Sequence, residues 1–455
     1  MPDSARRLPA RPSLEQLQKQ AKDLLRQYRA DSATATLAEA QLVLAREYGF
    51  ATWARLKHHV EAIAQPKTIT LREPQSQQDW ETLYARMGQH QIPGLNASAI
   101  NLTDDEMLHL ERIPHLRELD ISGWKGQITD RGLAVLRLLP ELRRLQMCWQ
   151  QNVTDAGMAH LSRCDHLEDV NLMGTQSGDG AIRALAGKPT LRRFKTGQNV
   201  SDEGLALLHQ FPAFKTWQGG EIRCELMSAD GFPTQLLVDG PFTNAGLAKL
   251  AGLNGLFALG FFWHCRAFTS DGLDVLRHPS NLGLLACQGE RCDDDAMRRI
   301  AAVPRLRMLM GQGTVASDAG FEALSRSQSL EYIWGRECPH LTGRGFTALA
   351  SMPSLRGLAV SCKNVDDDAL STLPRFPALR ELLPMDVSDE GFRHIGRCEK
   401  LDTLWCMYCR DTGDRATAHV AGLARLKSYY AGKTQITDRS LETLARIDAL
   451  ERLEF

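Results

Sequence analysis

Cys406-Met-Tyr-Cys409 is a cysteine pair at a spacing that could hold a metal or cycle between dithiol and disulfide in this 455-residue chain. A structural zinc site needs four ligands, and no second Cys-x-x-Cys completes it, so buried packing is the expectation. Two acidic triplets, Asp293 to Asp295 and Asp366 to Asp368, could offer carboxylate oxygens to a divalent ion. They fall three structural repeats apart, at least roughly 14 Å at a strand spacing of about 4.8 Å, so they cannot share one ion and read as helix caps. His109, His160, His394 and His419 each stand six residues after a helix start, a repeat-surface position where nothing organises them as ligands or as a base. Phosphate loops, G-x-S-x-G, H-E-x-x-H and the dinucleotide fingerprint are absent from the sequence. The expectation is a chain that is not an enzyme, with no catalytic, cofactor-binding or metal residues.

The elements that would position these side chains are written in a recurring phrase. Residues 128 to 147 read ITDRGLAVLRLLPELRRLQM, with apolar side chains spaced first as on a helix and finally as on a short strand. The phrase returns as VTDAGMAHL at Val153, VSDEGLALL at Val200, ASDAGFEAL at Ala316, VSDEGFRHI at Val387 and ITDRSLETL at Ile436. Phasing by the helix-start residue gives Thr103, Thr129, Thr154, Gly178, Ser201, Thr243, Thr269, Asp293, Ser317, Thr342, Asp366, Ser388, Gly413 and Thr437. Gaps are 22 to 26 residues, except 42 between Ser201 and Thr243, which places an insertion near Gly219 to Gly240. Such a unit cannot bury its own apolar side and does so by stacking on its neighbours, which predicts an α/β solenoid with one open arc of parallel strands. The Thr, Ser or Asp at each start caps a helix, and the Asp that usually follows sits favourably in the first turn.

With fourteen phased copies, residues 103 to 455 resemble the leucine-rich repeat family, of the helix-rich type found in ribonuclease inhibitor and in the repeat domains of F-box proteins. The resemblance implies a horseshoe with parallel strands inside and helices outside. The family's shared role is binding, and its partners differ.

Residues 1 to 65 do not follow the repeat. Ser13 and Gln16 make a capping box, a second helix runs from about Thr36 to Tyr48 and stops at Gly49, and a third begins at Thr52, which together predict a small all-α domain. The runs LPARPSLEQLQKQAKDLLRQYR and LAEAQLVLAREYGFATWARLKHHVE look like the helical module that precedes ankyrin repeats in many bacterial proteins, although no ankyrin phrase follows. That resemblance implies a bacterial interaction protein. LPARPSLEQL is also similar to an F-box start, but the bacterial module accounts better for residues 8 to 61. Residues 66 to 79 read as a linker, and residues 80 to 102 as a worn capping repeat.

A net charge of −1, with 24% charged residues, supports neither nucleic acid nor an anionic membrane as a partner. Eleven cysteines without framework spacing, in a chain lacking a signal-like apolar run after Met1, lead us to expect a cytoplasmic protein, with a secreted effector as the alternative. No stretch approaches the roughly 18 apolar residues of a spanning helix.

The inner face carries the partner expectation. Strand alternation sends the positions 15, 17 and 19 residues after each cap to that face. In the first four units these are wet and mixed, among them Glu118, Arg144, Asp169 and Lys195. From the sixth unit they include Phe262, Leu284, Met308, Met310, Tyr332, Trp334, Leu383, Met385, Trp405, Met407 and Tyr430. Aromatic and Met enrichment suits the buried centre of a protein interface, so these eleven are the candidate partner-binding residues. The same residues could instead lie beneath the 219–240 insertion. The functional expectation is a non-catalytic scaffold for a protein or peptide. The alternatives are an adaptor or effector that brings a target to a ligase-like partner, and a small-molecule or enzymatic groove involving Cys406 and Cys409.

Overall fold

The computed structural model describes residues 8–9, 13–31, 34–64, 67–124, 126–226 and 228–455. The chain forms two compact units, one of residues 1–100 with 115–119, the other of residues 101–114 with 120–455.

In the smaller unit, helices Leu14–Asp31, Leu37–Glu47 and Trp53–Ala64 close on a core that includes Leu17, Ala21, Leu44, Tyr48, Leu56 and Val60. The Gln16 N–H donates to Ser13 Oγ, and Thr36 with Glu39 completes a reciprocal capping box. The stretch expected as a linker is partly regular. Thr68–Thr70 is a strand paired in parallel with Gly94–Asn96, and Gln77 opens a helix that runs to His90; Pro66 lies outside the described residues.

The larger unit is an open α/β solenoid of stacked strand-and-helix repeats. One parallel sheet runs through Arg144–Gln146, Asp169–Asn171, Arg193–Lys195, Gln235–Val238, Ala258–Phe261 and Leu284–Ala286. It continues through Met308–Met310, Tyr332–Gly335, Gly357–Ser361, Glu381–Met385, Thr403–Trp405, Ser428–Tyr430 and Arg452–Glu454, and its ends do not pair with each other. The outer elements are short: Asp294–Ala301 has eight residues, Asp155–Met158 has four, and Gly132–Leu138 is a 3₁₀ helix. Leucines repeating between the layers, such as Leu133, Leu136, Leu139, Leu142 and Leu145, are fully buried, as the phase predicts.

Helix starts fall at the phased residues, except at Thr129 and Ser388, where helical turns begin at Gly132 and Phe392. The Asp that follows most caps reaches across to the next repeat. Asp104 accepts from the Thr129 N–H and hydroxyl at 2.7 Å each, and the pattern recurs from Asp130 to Thr154, Asp318 to Thr342 and Asp414 to Thr437. The glycine three residues after the cap makes room for that carboxylate, since a Cβ on Gly132 or Gly345 would lie 2.5 Å from the Asp oxygen. The T-D-x-G phrase is thus an inter-repeat clamp as well as a cap. Hydroxyls of Ser440 and Thr437 hold the Asp414 pKa down at about 2.

The long gap leaves the ladder only from Thr216 to Thr234, because Gln235–Val238 is a regular strand that pairs directly with Arg193–Lys195. Within that departure, Arg223–Glu225 and Ser228–Asp230 form an antiparallel hairpin.

Candidate functional site

Register places the expected inner-face residues in rows. Leu284, Met308, Tyr332, Gly357 and Glu381 lie side by side along one row, and Ala286, Met310, Trp334, Ala359 and Leu383 along the next. They are not an open surface. Leu284, Met308, Tyr332, Leu383 and Met385 are buried in one cluster with Cys224 and Leu226 of the hairpin, and Trp217, Ile222 and Phe232 of the insertion pack against it. This corrects the expectation of an open surface for those five residues: they are buried, and the insertion, which enters from the side where the strands begin, packs on the cluster they belong to, with Leu226 against Tyr332 and Gly357. Met310, Trp334 and Trp405 pack partly buried against the same cluster, so neither tryptophan is independent of the core. Phe262, Met407 and Tyr430 are half-buried, and the Tyr430 ring stacks on Trp405 at 3.7 Å.

Shape and polar contacts fix the hairpin on the groove. Gly357 leaves a notch between Tyr332 and Glu381, where an added Cβ would meet the Tyr332 ring at 2.5 Å and Leu226 Cδ1 at 3.2 Å. The Leu226 N–H donates to Glu381 Oε2 at 2.8 Å. Arg307 Nη1 donates to the Ile222 carbonyl at 3.4 Å, while its Nε and Nη2 grip Glu331 at 2.8 and 3.2 Å. Burial pushes the Glu381 pKa up to about 7 against the Leu226 hydrogen bond, and the carboxylates of Asp402 and Glu225 add to the rise.

The opposite edge, where the strands end, carries an aromatic stack. Trp124 lies on Trp149 at 4.2 Å and 10°, Trp149 on Trp263 at 5.1 Å, and Trp263 on Phe262 at 4.4 Å. Trp124 is 65% and Trp263 50% exposed. Trp149 has φ +68°, a left-handed backbone that costs a bulky residue on the order of 1 kcal/mol or more. The same repeat position is left-handed at Gly174, Gly289, Gly313, Glu337, Asp386 and Lys433, where glycine is the unstrained solution. The Trp149 ring covers Gly174, whose absent Cβ would sit 2.2 Å from it. Buried Asp239 fixes the turn bearing Phe262 and Trp263, accepting from the His264 N–H at 2.6 Å and facing His264 Nδ1 at 2.7 Å. A cleft of about 820 Å³ adjoins it, lined by residues that include Phe262, Trp263, Arg266, Gln288, Gln312 and Glu337. Of this stack, sequence reasoning selected only Phe262. The missed signal is a tryptophan 20 or 21 residues after the caps Thr103, Thr129 and Thr243.

The candidate chemical residues take structural places. Cys287, Cys398, Cys406 and Cys409 are buried, and all eleven cysteines are free thiols. Burial pushes the Cys409 pKa up to about 12, which leaves it a poor nucleophile. Asp293 and Asp366 cap their helices through the Ala296 and Ala369 N–H groups. His394 departs from the surface expectation: it is buried, with Nε2 3.0 Å from Asp367 of the preceding repeat. Among the described residues no group of three or more His, Cys, Asp or Glu is placed to hold a metal ion, and no helix is long and apolar enough to cross a membrane.

No family model matches the chain. Among solved structures, an internalin (inlF) from Listeria monocytogenes aligns at 15% identity and a TM-score of 0.38, covering 82% of this chain and 94% of that one. A chain of the yeast Rad7 and Elc1 complex aligns at 14% identity and a TM-score of 0.36, covering 78% of this chain and 91% of that one. Likenesses of this order decide neither partner nor activity.

Proposed function

We propose that this protein is a non-catalytic scaffold that holds a protein or peptide partner, with the stack of Trp124, Trp149, Trp263 and Phe262 as its principal contact. One observation carries the reading: two tryptophans of a four-ring stack, Trp124 and Trp263, stand half or more in water, the latter on a turn braced by Asp239. Exposed aromatic side chains on a rigid support are the usual energetic centres of protein interfaces, because they bury much apolar area with little loss of side-chain freedom. Half-buried Trp405, Met407 and Tyr430 extend the apolar inner surface beyond the covered groove.

The test is affinity capture with the intact chain and with the Trp124→Ala/Trp263→Ala double variant, read by quantitative mass spectrometry, with circular dichroism as the folding check. Proteins enriched by the intact chain should fall at least about tenfold with the variant, since the loss of about 2 kcal/mol at such a centre exceeds one factor of ten. An unchanged set of captured proteins would remove the stack as the contact.

A further inference from the structure

We propose that the apolar groove over Leu284, Met308 and Tyr332 is a binding site for an extended peptide strand with apolar residues at alternate positions, and that the chain's own insertion occupies it as an exchangeable strap. This concerns a second surface and does not rest on the aromatic stack.

The occupant's chemistry is read from the segment seated there. Ile222, Cys224 and Leu226 alternate along one extended stretch, with Leu226 against the notch that Gly357 leaves. The groove also meets the backbone: Glu381 accepts the Leu226 N–H, and Arg307 donates to the Ile222 carbonyl. A carboxylate and a guanidinium at those places would receive any strand in this register, because they contact main-chain atoms while the notch selects the side chain.

Two observations mark the strap as separable. The solenoid ladder is complete without it, since Arg193–Lys195 pairs directly with Gln235–Leu237, so its release breaks no bond of the parallel sheet. Among the described residues its β-pairing is confined to its own two-stranded hairpin, an arrangement of marginal stability by itself, and its neck turns at Gly219, Gly220 and Gly231, all with positive φ. Release would expose an apolar row ready for a competing strand.

The test uses the synthetic peptide Gln218–Pro233, its Leu226→Asp version, the intact chain, and a chain in which Gln218–Pro233 is replaced by a short Gly-Ser loop. Titration calorimetry should show the peptide binding the strapless chain at least tenfold more tightly than the intact chain, and at least tenfold more tightly than the Leu226→Asp peptide does. No binding to a folded strapless chain, or equal binding of the two peptides, would overturn the proposal. Self-association of the strapless chain in place of peptide binding would also overturn it, by making a second copy the occupant. Should excision prevent folding, the full-length Leu226→Asp chain serves as receptor; if that chain also fails to fold, the insertion is a fixed part of the core and the proposal fails.

Discussion

The two edges of one sheet carry apolar surfaces that the chain treats in opposite ways. Where the strands begin, Leu284, Met308 and Tyr332 are covered by a strap from the same chain. Where they end, Trp124 and Trp263 remain in water. Both surfaces are rich in the residues that interfaces favour, so composition does not separate them; a cover does. An apolar inner face on a solenoid is therefore evidence of contact, not of an external partner, until its insertions have been placed.

The largest expected effect breaks the covered side. Leu226→Asp removes a buried leucine and sets a third acidic group beside Glu381 and Glu225, at a cost of about 3 kcal/mol or more to the closed strap. Since tenfold is about 1.4 kcal/mol, the open population should rise at least about a hundredfold while the solenoid stays folded. Hydrogen exchange of residues 221 to 230, measured beside strand Arg144–Gln146 as an internal reference, reads this directly. Equal protection in variant and parent would mean that Leu226 does not hold the strap.

A proton sharpens the same contrast. Glu381 faces Glu225 and Leu226 from the strap, Tyr332 from the groove and Asp402 just before the neighbouring strand, with Arg307, Arg356, Glu331 and Cys224 around Tyr332. Its pKa is raised in the closed state, so the closed state takes up the proton more readily than the open one. The stabilisation is therefore fully present below about 4.5, is lost progressively as pH rises through about 7, and changes little above that. Strap protection, corrected for intrinsic exchange, should fall by about tenfold or more between pH 5.5 and 8.5. Glu381→Gln keeps an acceptor for the Leu226 N–H and should hold the strap closed at both pH values. A wild-type strap insensitive to pH, or a Gln variant that follows the wild type, contradicts this.

The smallest effect concerns the open side. Trp149→Gly relieves a left-handed tryptophan, a gain of on the order of 1 kcal/mol, and loses ring contacts worth about as much, so unfolding free energy should change by less than about 1 kcal/mol. The near-ultraviolet circular dichroism of the stacked tryptophans should nevertheless collapse. A large loss of stability would make the stack a structural clasp instead of a presented surface.

Much of this was legible in the sequence, for a local reason. The cap residue and the apolar spacing both belong to one repeat, so Ser317 fixes the phase of Tyr332 and Trp334, which the register sets beside Met308 and Met310. What crosses repeats was not legible. The Asp104 clamp on Thr129 spans 25 residues, whereas within its own repeat Asp104 signals only a favourable charge in a helix turn. His394 was read as a surface residue because its partner Asp367 belongs to the preceding repeat. The Leu226–Glu381 contact spans 155 residues, and the 42-residue gap announced an insertion without saying which way it folds. Trp149 stands three residues past strand Arg144–Gln146 and Trp263 two past Ala258–Phe261, in a turn where period-two alternation no longer applies.

The central claim, that the strap covers the groove, is most directly tested by methionine oxidation. Dilute hydrogen peroxide, with site occupancy followed by mass spectrometry, reports the accessibility of each thioether sulfur. Met308 and Met385 are buried in the strap cluster, whereas Met407 is half-exposed. In the intact chain Met407 should oxidise at least about tenfold faster than Met308 and Met385, and excision of Gln218–Pro233 should bring Met308 towards the Met407 rate. Met308 oxidising as fast as Met407 in the intact chain would show that the groove is open and contradict the account.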